Sequence, residues 1–199
     1  MGATTPLNEL WLVRHGETEW VRARRHTGRT DLPLTARGEA QARALAPLLA
    51  GTRFARVLAS PLQRARRTAE LAGLGDAIEL DPDLMELDYG EYEGRTTAEI
   101  RTARPGWDLW RDGCPGGETI ADAAQRAQRV IARARAADGP VLLVAHSHLL
   151  RTLAACALGL PADAGRHLRL APATVSIIGA EHEWPVVLLW NAPTLPRRG

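Results

Sequence analysis

No lysine occurs in this chain: all 25 basic residues are arginine. That absence excludes a phosphate-binding loop of the G-x-x-x-x-G-K type, whose lysine reaches the phosphates. Together with abundant Ala, Gly and Pro, the arginines read as a GC-rich coding bias, and most of them as solvated surface. Cysteine is scarce too. Cys114 and Cys156 do not make a disulfide framework. A cysteine-based phosphatase would need an arginine six positions after its cysteine, and Ile120 and Ala162 stand there instead. No apolar run approaches a membrane span. No basic region followed by an apolar core opens the chain, and Pro6 stands where a myristoylation match needs Ser or Thr. The expectations are a cytoplasmic protein with no membrane association. A net charge of +2 gives no general case for nucleic acid.

What is present fits one globular domain over residues 1–199, with 45% hydrophobic and 24% charged residues. Strand and helix patterns alternate along it. Leu10–Arg14 reads as a buried strand. Thr35 caps a helix reaching to about Ala50. Ala55–Ala59 is a second strand, and Ser60-Pro61 reads as a capping serine with proline at the first helical position, opening a helix to about Gly73. Residues 80–117 lack clear periodicity and read as an irregular cover over a site. Thr119 opens a long helix with apolar positions 120, 123, 127, 130, 131 and 134, ended by Gly139-Pro140. Val141–Ala145 is a third buried strand, followed by a helix from about Ser147 to Leu158. Val175–Gly179 and Val186–Trp190 read as a hairpin, and 192–199 as a loose tail. This order predicts an α/β fold: a three-layer α/β/α sandwich with a mostly parallel central sheet.

In such sheets ligands bind beyond the carboxyl ends of the strands. Three apolar strands end there in polar groups: Arg14-His15-Gly16, then Ser60-Pro61 with Arg64 in the next turn, then His146-Ser147-His148. Two histidines, two arginines and a helix N-terminus facing one crevice suit a phosphate. A neutral imidazole can attack phosphorus and hold it covalently. Fixed cations can stabilise the charge on the equatorial oxygens. The leaving alcohol needs a proton, and the irregular segment offers Asp81, Asp83, Glu86, Asp88, Glu91 and Glu93. Other chemistries fit less well. "IELDPDLM" imitates the start of a haloacid-dehalogenase phosphatase, but Pro82 splits the aspartates and Met85 stands where Thr or Val is needed. His146-x-His148 could begin a metal site, yet no further ligand cluster accompanies it, so neither metal nor cofactor is expected.

The block "LWLVRHGETEW" resembles the signature of the histidine phosphatase superfamily, which includes the cofactor-dependent phosphoglycerate mutases. "HTGRTDLPLTARGEAQA", "ASPLQRARRTAEL", "LMELDYGEYEG" and "VLLVAHSHLLR" resemble further blocks in family order. The resemblance implies His15 as the nucleophile, Arg14, Arg64 and His146 as its phosphate pocket, and Glu86 as the proton donor. It also implies phosphate or substrate contacts from Thr27 and the Ser147 backbone N–H, a substrate contact from Tyr89, and no metal. Two positions depart from the pattern. Val21 stands where many members have Asn or Ser, and Ser147 where Gly is usual. His148 is left open between packing and function; His26, Arg29 and Arg151 read as structural or exposed, and His167, His182 and Cys156 as incidental.

Mutases of this family carry a longer insertion between acid and second histidine, with an adjacent arginine pair. Here Glu86 and His146 are 60 positions apart, and "EIRTARPGWDLWRDGCPGGET" has no such pair. A shorter cover favours hydrolysis over transfer. The expectation is a phosphatase acting on small phosphorylated metabolites such as sugar phosphates, similar to actinobacterial acid phosphatases and fungal sedoheptulose bisphosphatases. Mutase activity is the alternative, and a non-catalytic phosphate-binding relative a weaker one. A homodimer is left open.

Overall fold

A computed structural model describes residues 8–193. Six strands form one sheet: β1 (Leu10–Arg14), β2 (Arg56–Ala59), β3 (Ile78–Leu80), β4 (Val141–Ala145), β5 (Val175–Glu181) and β6 (Trp184–Ala192). Their order is β3-β2-β4-β1-β5-β6. The pairings β1–β4, β2–β4 and β2–β3 are parallel, while β5 runs antiparallel to β1 and to β6.

Period-two side-chain alternation divides the strands between two apolar layers. Leu10, Leu12, Leu58 and Leu143 pack with residues of α7 (Ile120–Arg135) and α8 (Ser147–Ala157). Trp11, Val13, Val57, Ala59, Leu142 and Val144 pack instead with Leu45, Leu49, Ala65 and Ala69. Leu49 lies on α3 (Ala46–Leu49), and the two alanines on α4 (Gln63–Ala69). Both faces are therefore covered, and the expected three-layer sandwich is what forms. Every position of the apolar stripe expected on α7 is buried.

Several boundaries differ from expectation. The helix capped by Thr35 is α2 (Ala36–Arg43) and stops before α3. Pro47 accounts for the interruption, because it lacks an N–H and its ring would strike the carbonyl four residues back. α4 begins after Leu62, not Ser60, whose hydroxyl has another partner described below. β3 was not foreseen; it is a short edge strand whose residues are half-buried or exposed. The irregular segment contains α5 (Thr97–Ala103) and α6 (Leu109–Asp112). Ala192 belongs to β6 rather than to a loose tail, and 194–199 lie outside the described residues. A short helix, α1 (Glu19–Arg22), follows β1. Among the described residues no helix is long and apolar enough to cross a membrane.

Candidate active site

The register of the sheet brings three strand ends together. Arg14 of β1 pairs with Ala145 of β4, and Ala59 of β2 pairs with Val144. The next residues continue the ladder: His15 N–H donates to Ala145 O at 3.0 Å and Ser60 N–H to Val144 O at 3.0 Å. His15, Ser60 and His146 thus emerge side by side at the carboxyl edge.

Gly16 lets the chain turn away at once. A Cβ there would lie 2.4 Å from the Gly38 carbonyl oxygen, so the loop after β1 and the first turn of α2 touch backbone to backbone. Its N–H is held by Thr68 Oγ1 at 3.0 Å.

Hydrogen bonds fix the tautomer of each histidine. His15 Nδ1 lies 2.7 Å from the Gly16 carbonyl, which can only accept, so Nδ1 carries the proton and Nε2 keeps its lone pair. His146 Nδ1 accepts from Arg64 Nε at 3.2 Å, which leaves Nε2–H to donate to Ser60 Oγ at 2.8 Å. The two rings stand 5.1 Å apart, tilted by 60°. Burial, reinforced by Arg64 and Arg14, holds the His15 imidazole well below the usual range. Burial and Arg64 do the same to His146. Both rings are neutral near pH 7.

Arg64 is fully buried. Besides His146, its guanidinium donates to the carbonyls of Thr30 at 2.9 Å, Gly28 at 2.8 Å and Thr27 at 3.2 Å. Five guanidinium N–H groups against these four bonds leave one N–H of NH1 uncommitted. The loop that receives Arg64 is held in turn by Glu93, whose carboxylate accepts from Gly28 N at 2.9 Å and Thr30 N at 3.1 Å. Arg14 NH1 donates to Leu170 O at 2.7 Å, and its Nε is buried without a partner among the described residues.

The carboxylates of the irregular segment separate by partner. Asp81 and Asp83 pair with Arg133 and Arg129 on α7. Asp88 accepts from Gly90 N–H, Glu93 holds the loop, and Glu91 is exposed. Only Glu86 of the six reaches the cleft. Its Oε1 accepts from Leu87 N at 3.1 Å and Leu149 N at 2.9 Å, and its Oε2 from His148 N at 3.0 Å. Two of those donors are in the first turn of α8, where unsatisfied N–H groups favour an acidic side chain. Arg126 braces the turn before Glu86: NH1 donates to the carbonyls of Asp83 and Met85, both at 2.8 Å, while the Glu118 carboxylate holds the other end of the guanidinium.

These elements enclose a cleft of about 180 Å³ walled by Arg14, His15, Thr27, Glu86, Tyr89 and Ser147. Arg64 and His146, fully buried, lie behind that wall rather than on it. Val21 also faces the cleft and offers no hydrogen bond. Ser147 begins α8 without a left-handed backbone, so the turn tolerates its side chain. Thr27 donates its hydroxyl to Arg25 O at 3.1 Å. His148 is not merely a packed helix residue: it lines the cleft, and its Nδ1 lies 2.6 Å from Tyr89 Oη. His26 lines it too and contacts the Tyr89 ring at 4.8 Å. Arg29 pairs with Glu118, and Arg151 stacks over Trp110 at 4.6 Å. Sequence reasoning missed Ser60, Glu93 and Arg126 as supports. Their signal is tertiary: Ser60 reaches His146, Glu93 reaches Gly28 and Arg126 reaches Asp83 and Met85, each more than 30 positions away.

The buried histidines make stability depend on pH. Burial pushes His26 down to about 4, and His148 is lowered well below its usual range by burial and Arg151. A histidine kept neutral in the fold binds fewer protons than in the unfolded chain, so stability falls as pH drops below about 6.5. His26 alone should cost about 2 kcal/mol between pH 7 and pH 5. The ion-paired carboxylates lose their contribution only below about pH 4, in a separate window. Urea midpoints at pH 7 and pH 5 measure this; a midpoint that stays level or rises would contradict it.

Comparison with known proteins agrees with this geometry. Residues 10–193 match the model of the histidine phosphatase superfamily (branch 1). An acid phosphatase of Mycobacterium tuberculosis is 39% identical, covering 88% of this chain and 88% of that protein. A protein of Photorhabdus laumondii named as a probable phosphoglycerate mutase is 38% identical, covering 87% and 86%. The solved structure of a mycobacterial glucosyl-3-phosphoglycerate phosphatase with VO3 superposes with a TM-score of 0.84 at 31% identity, covering 93% of this chain and 99% of that one. The matched span contains all six strands and every residue that walls the cleft, so this chain belongs to the histidine phosphatase superfamily, branch 1.

Proposed function

We propose that the protein is a phosphatase of small phosphate monoesters that works through a phosphohistidine on His15. One observation carries the reading: a neutral His15, its Nδ1 pinned by the Gly16 carbonyl, stands in a cleft with Arg14 and Glu86. His15 Nε2 attacks phosphorus, the P–O bond to the alcohol breaks, and Glu86 supplies the leaving oxygen with a proton. Glu86 Oε2, with a single backbone donor, is the oxygen that carries that proton. Water then attacks the phosphohistidine and gives its proton to Glu86, the N–P bond breaks, and orthophosphate leaves. Arg14 faces the transferred oxygens with its unpartnered Nε, Arg64 stabilises them from behind with its uncommitted N–H, and His146 completes the pocket by holding the Arg64 guanidinium through Nδ1. Thr27, Tyr89 and the Ser147 N–H serve substrate binding at the cleft wall.

Support comes from the similar proteins named as phosphatases and from the VO3 complex of one of them, since vanadate imitates phosphate. A mutase reading draws on the relatives named phosphoglycerate mutase. No metal enters the proposal, because among the described residues no group of three or more His, Cys, Asp or Glu is placed to hold one. Incubation of the protein in EDTA with 4-nitrophenyl phosphate and with 3-phosphoglycerate tests all three points. Orthophosphate release unaffected by chelator is the expected result. Appearance of 2-phosphoglycerate without orthophosphate would establish the mutase instead, and activity restored only by a divalent ion would overturn the metal-free step.

A further inference from the structure

We infer that Arg126 and Glu118 are positioning residues for the proton transfer: together they set where the Glu86 carboxylate stands. The inference rests on the phosphatase reading, in which Glu86 protonates the leaving oxygen, and adds two residues that act on that step through Glu86. Residues 85–89 belong to no helix or strand. The backbone that carries Glu86 therefore has no ladder of its own, and its polar groups must find other partners.

One buried ion pair supplies those partners on both sides of Glu86. Before it, Arg126 NH1 donates to the carbonyls of Asp83 and Met85, both at 2.8 Å. The Met85 carbonyl is part of the planar peptide that joins Met85 to Glu86, so this bond fixes the plane from which the Glu86 side chain departs. After it, Glu118 grips Asp88 twice. Its carboxylate accepts from Asp88 N–H at 2.9 Å, and its own N–H donates to Asp88 O at 2.8 Å. The two tethers are joined by parallel bonds from Arg126 Nε to Glu118 Oε1 and from NH2 to Oε2, each at 2.8 Å. A two-bond pair of this kind fixes orientation as well as distance. Glu86 is thus strung between two helices: its backbone hangs on Arg126 of α7, and its carboxylate on the His148 and Leu149 N–H groups of α8.

Stability alone is a poor reason for such a pair. The side chains of Arg126 and Glu118 are only 10% and 19% exposed, and removing two charges from water offsets most of their attraction. A packed apolar pair would join the same elements without that cost. It could not hold two carbonyls and an N–H at set places on either side of one residue. Proton transfer makes that demand, because a misplacement of about 1 Å at a reacting group can cost about a hundredfold in rate. The neighbouring pairs on α7 differ in kind. Arg129 and Arg133 reach only the side chains of Asp81 and Asp83, are more exposed, and touch no backbone beside Glu86.

Two variants test this with kcat and KM for glycerol 3-phosphate and 4-nitrophenyl phosphate. Arg126→Lys keeps the charge, but a single ammonium cannot span two carbonyls and both carboxylate oxygens. Arg126→Met combined with Glu118→Gln removes both charges, so neither is left buried alone, and the new amide oxygen can still accept from Asp88 N–H. Each should lower kcat for glycerol 3-phosphate about tenfold or more, while kcat for 4-nitrophenyl phosphate, whose leaving group needs no proton, and both KM values stay within about twofold. Arg129→Met, on the same helix, should change neither. A pair that merely supported the fold would lower both kcat values together, in step with the urea midpoint. Equal losses on both esters, no loss on either, or variants that do not fold would overturn the positioning role. Equal losses in Glu86→Gln, measured alongside, would remove the acid step and the inference with it. In each of those cases orthophosphate release by the wild type leaves the phosphatase reading intact, whereas no orthophosphate from either ester would overturn both.

Discussion

Replacing His15 with alanine is expected to lower phosphate release by about 10⁴-fold or more, because it removes the atom that forms the covalent bond. The substitution should leave the fold standing. His15 enters the sheet ladder through its main chain, which alanine preserves. Gly16 remains held by Thr68. Quenching the wild-type enzyme during turnover of ³²P-labelled substrate should trap label on the protein. That label should survive alkali and be lost in acid, as a nitrogen–phosphorus bond requires and a phosphoserine ester does not. Label that resists acid, or that persists in His15→Ala, would identify a different nucleophile.

The second large effect belongs to Glu86. Glu86→Gln should cut kcat by about 10²–10⁴ for alkyl phosphates, the usual worth of a positioned general acid. Glutamine is not innocent here. The carboxylate accepts three backbone N–H groups, and an amide turned to satisfy Leu87 and Leu149 points its own NH2 at the His148 N–H. A purely structural loss of that kind would slow every substrate alike. Loss of the acid would instead spare esters with good leaving groups, which depart without a proton. The decisive measurement is kcat for 4-nitrophenyl phosphate beside that for glycerol 3-phosphate. Equal losses on both would remove Glu86 from the acid role and leave it as a support for α8.

Much of this arrangement is visible in the chain before any coordinates. Leu10–Arg14 and Val141–Ala145 are apolar runs that lead into polar groups, Arg14-His15 and His146, and both are strands with those bounds. Their parallel pairing follows from the intervening helices, and it alone brings His15 beside His146. Thr35 and Thr119 cap helices as their sequence context predicts. Some boundaries that differ carry a local signal. Pro47 divides α2 from α3, and Thr96-Thr97-Ala98-Glu99 is a capping box at the start of α5. Other features had no local signal. Ser60 looks like a helix cap by every local rule, and its hydroxyl does accept from Leu62 N–H at 3.3 Å, but it also accepts from His146, 86 positions away. Glu93 is one acid among several until the loop over Gly28 comes to lie on it. Local propensity describes a residue's neighbours in sequence, and these roles depend on neighbours in space.

The short contact between His15 Nδ1 and the Gly16 carbonyl has a regiochemical consequence. In the proposed mechanism a phosphoryl group on this ring would occupy Nε2 alone, so the modified protein would carry the τ isomer of phosphohistidine and none of the π isomer. The same carbonyl remains as the acceptor for Nδ1–H once the phosphorylated imidazole becomes a cation. It then gains a charge-assisted bond in the intermediate that it lacked in the resting enzyme. In the proposed mechanism one backbone oxygen, on a residue whose close approach to the Gly38 carbonyl leaves no room for a Cβ, thereby dictates which ring nitrogen reacts and helps the ring to bear the charge.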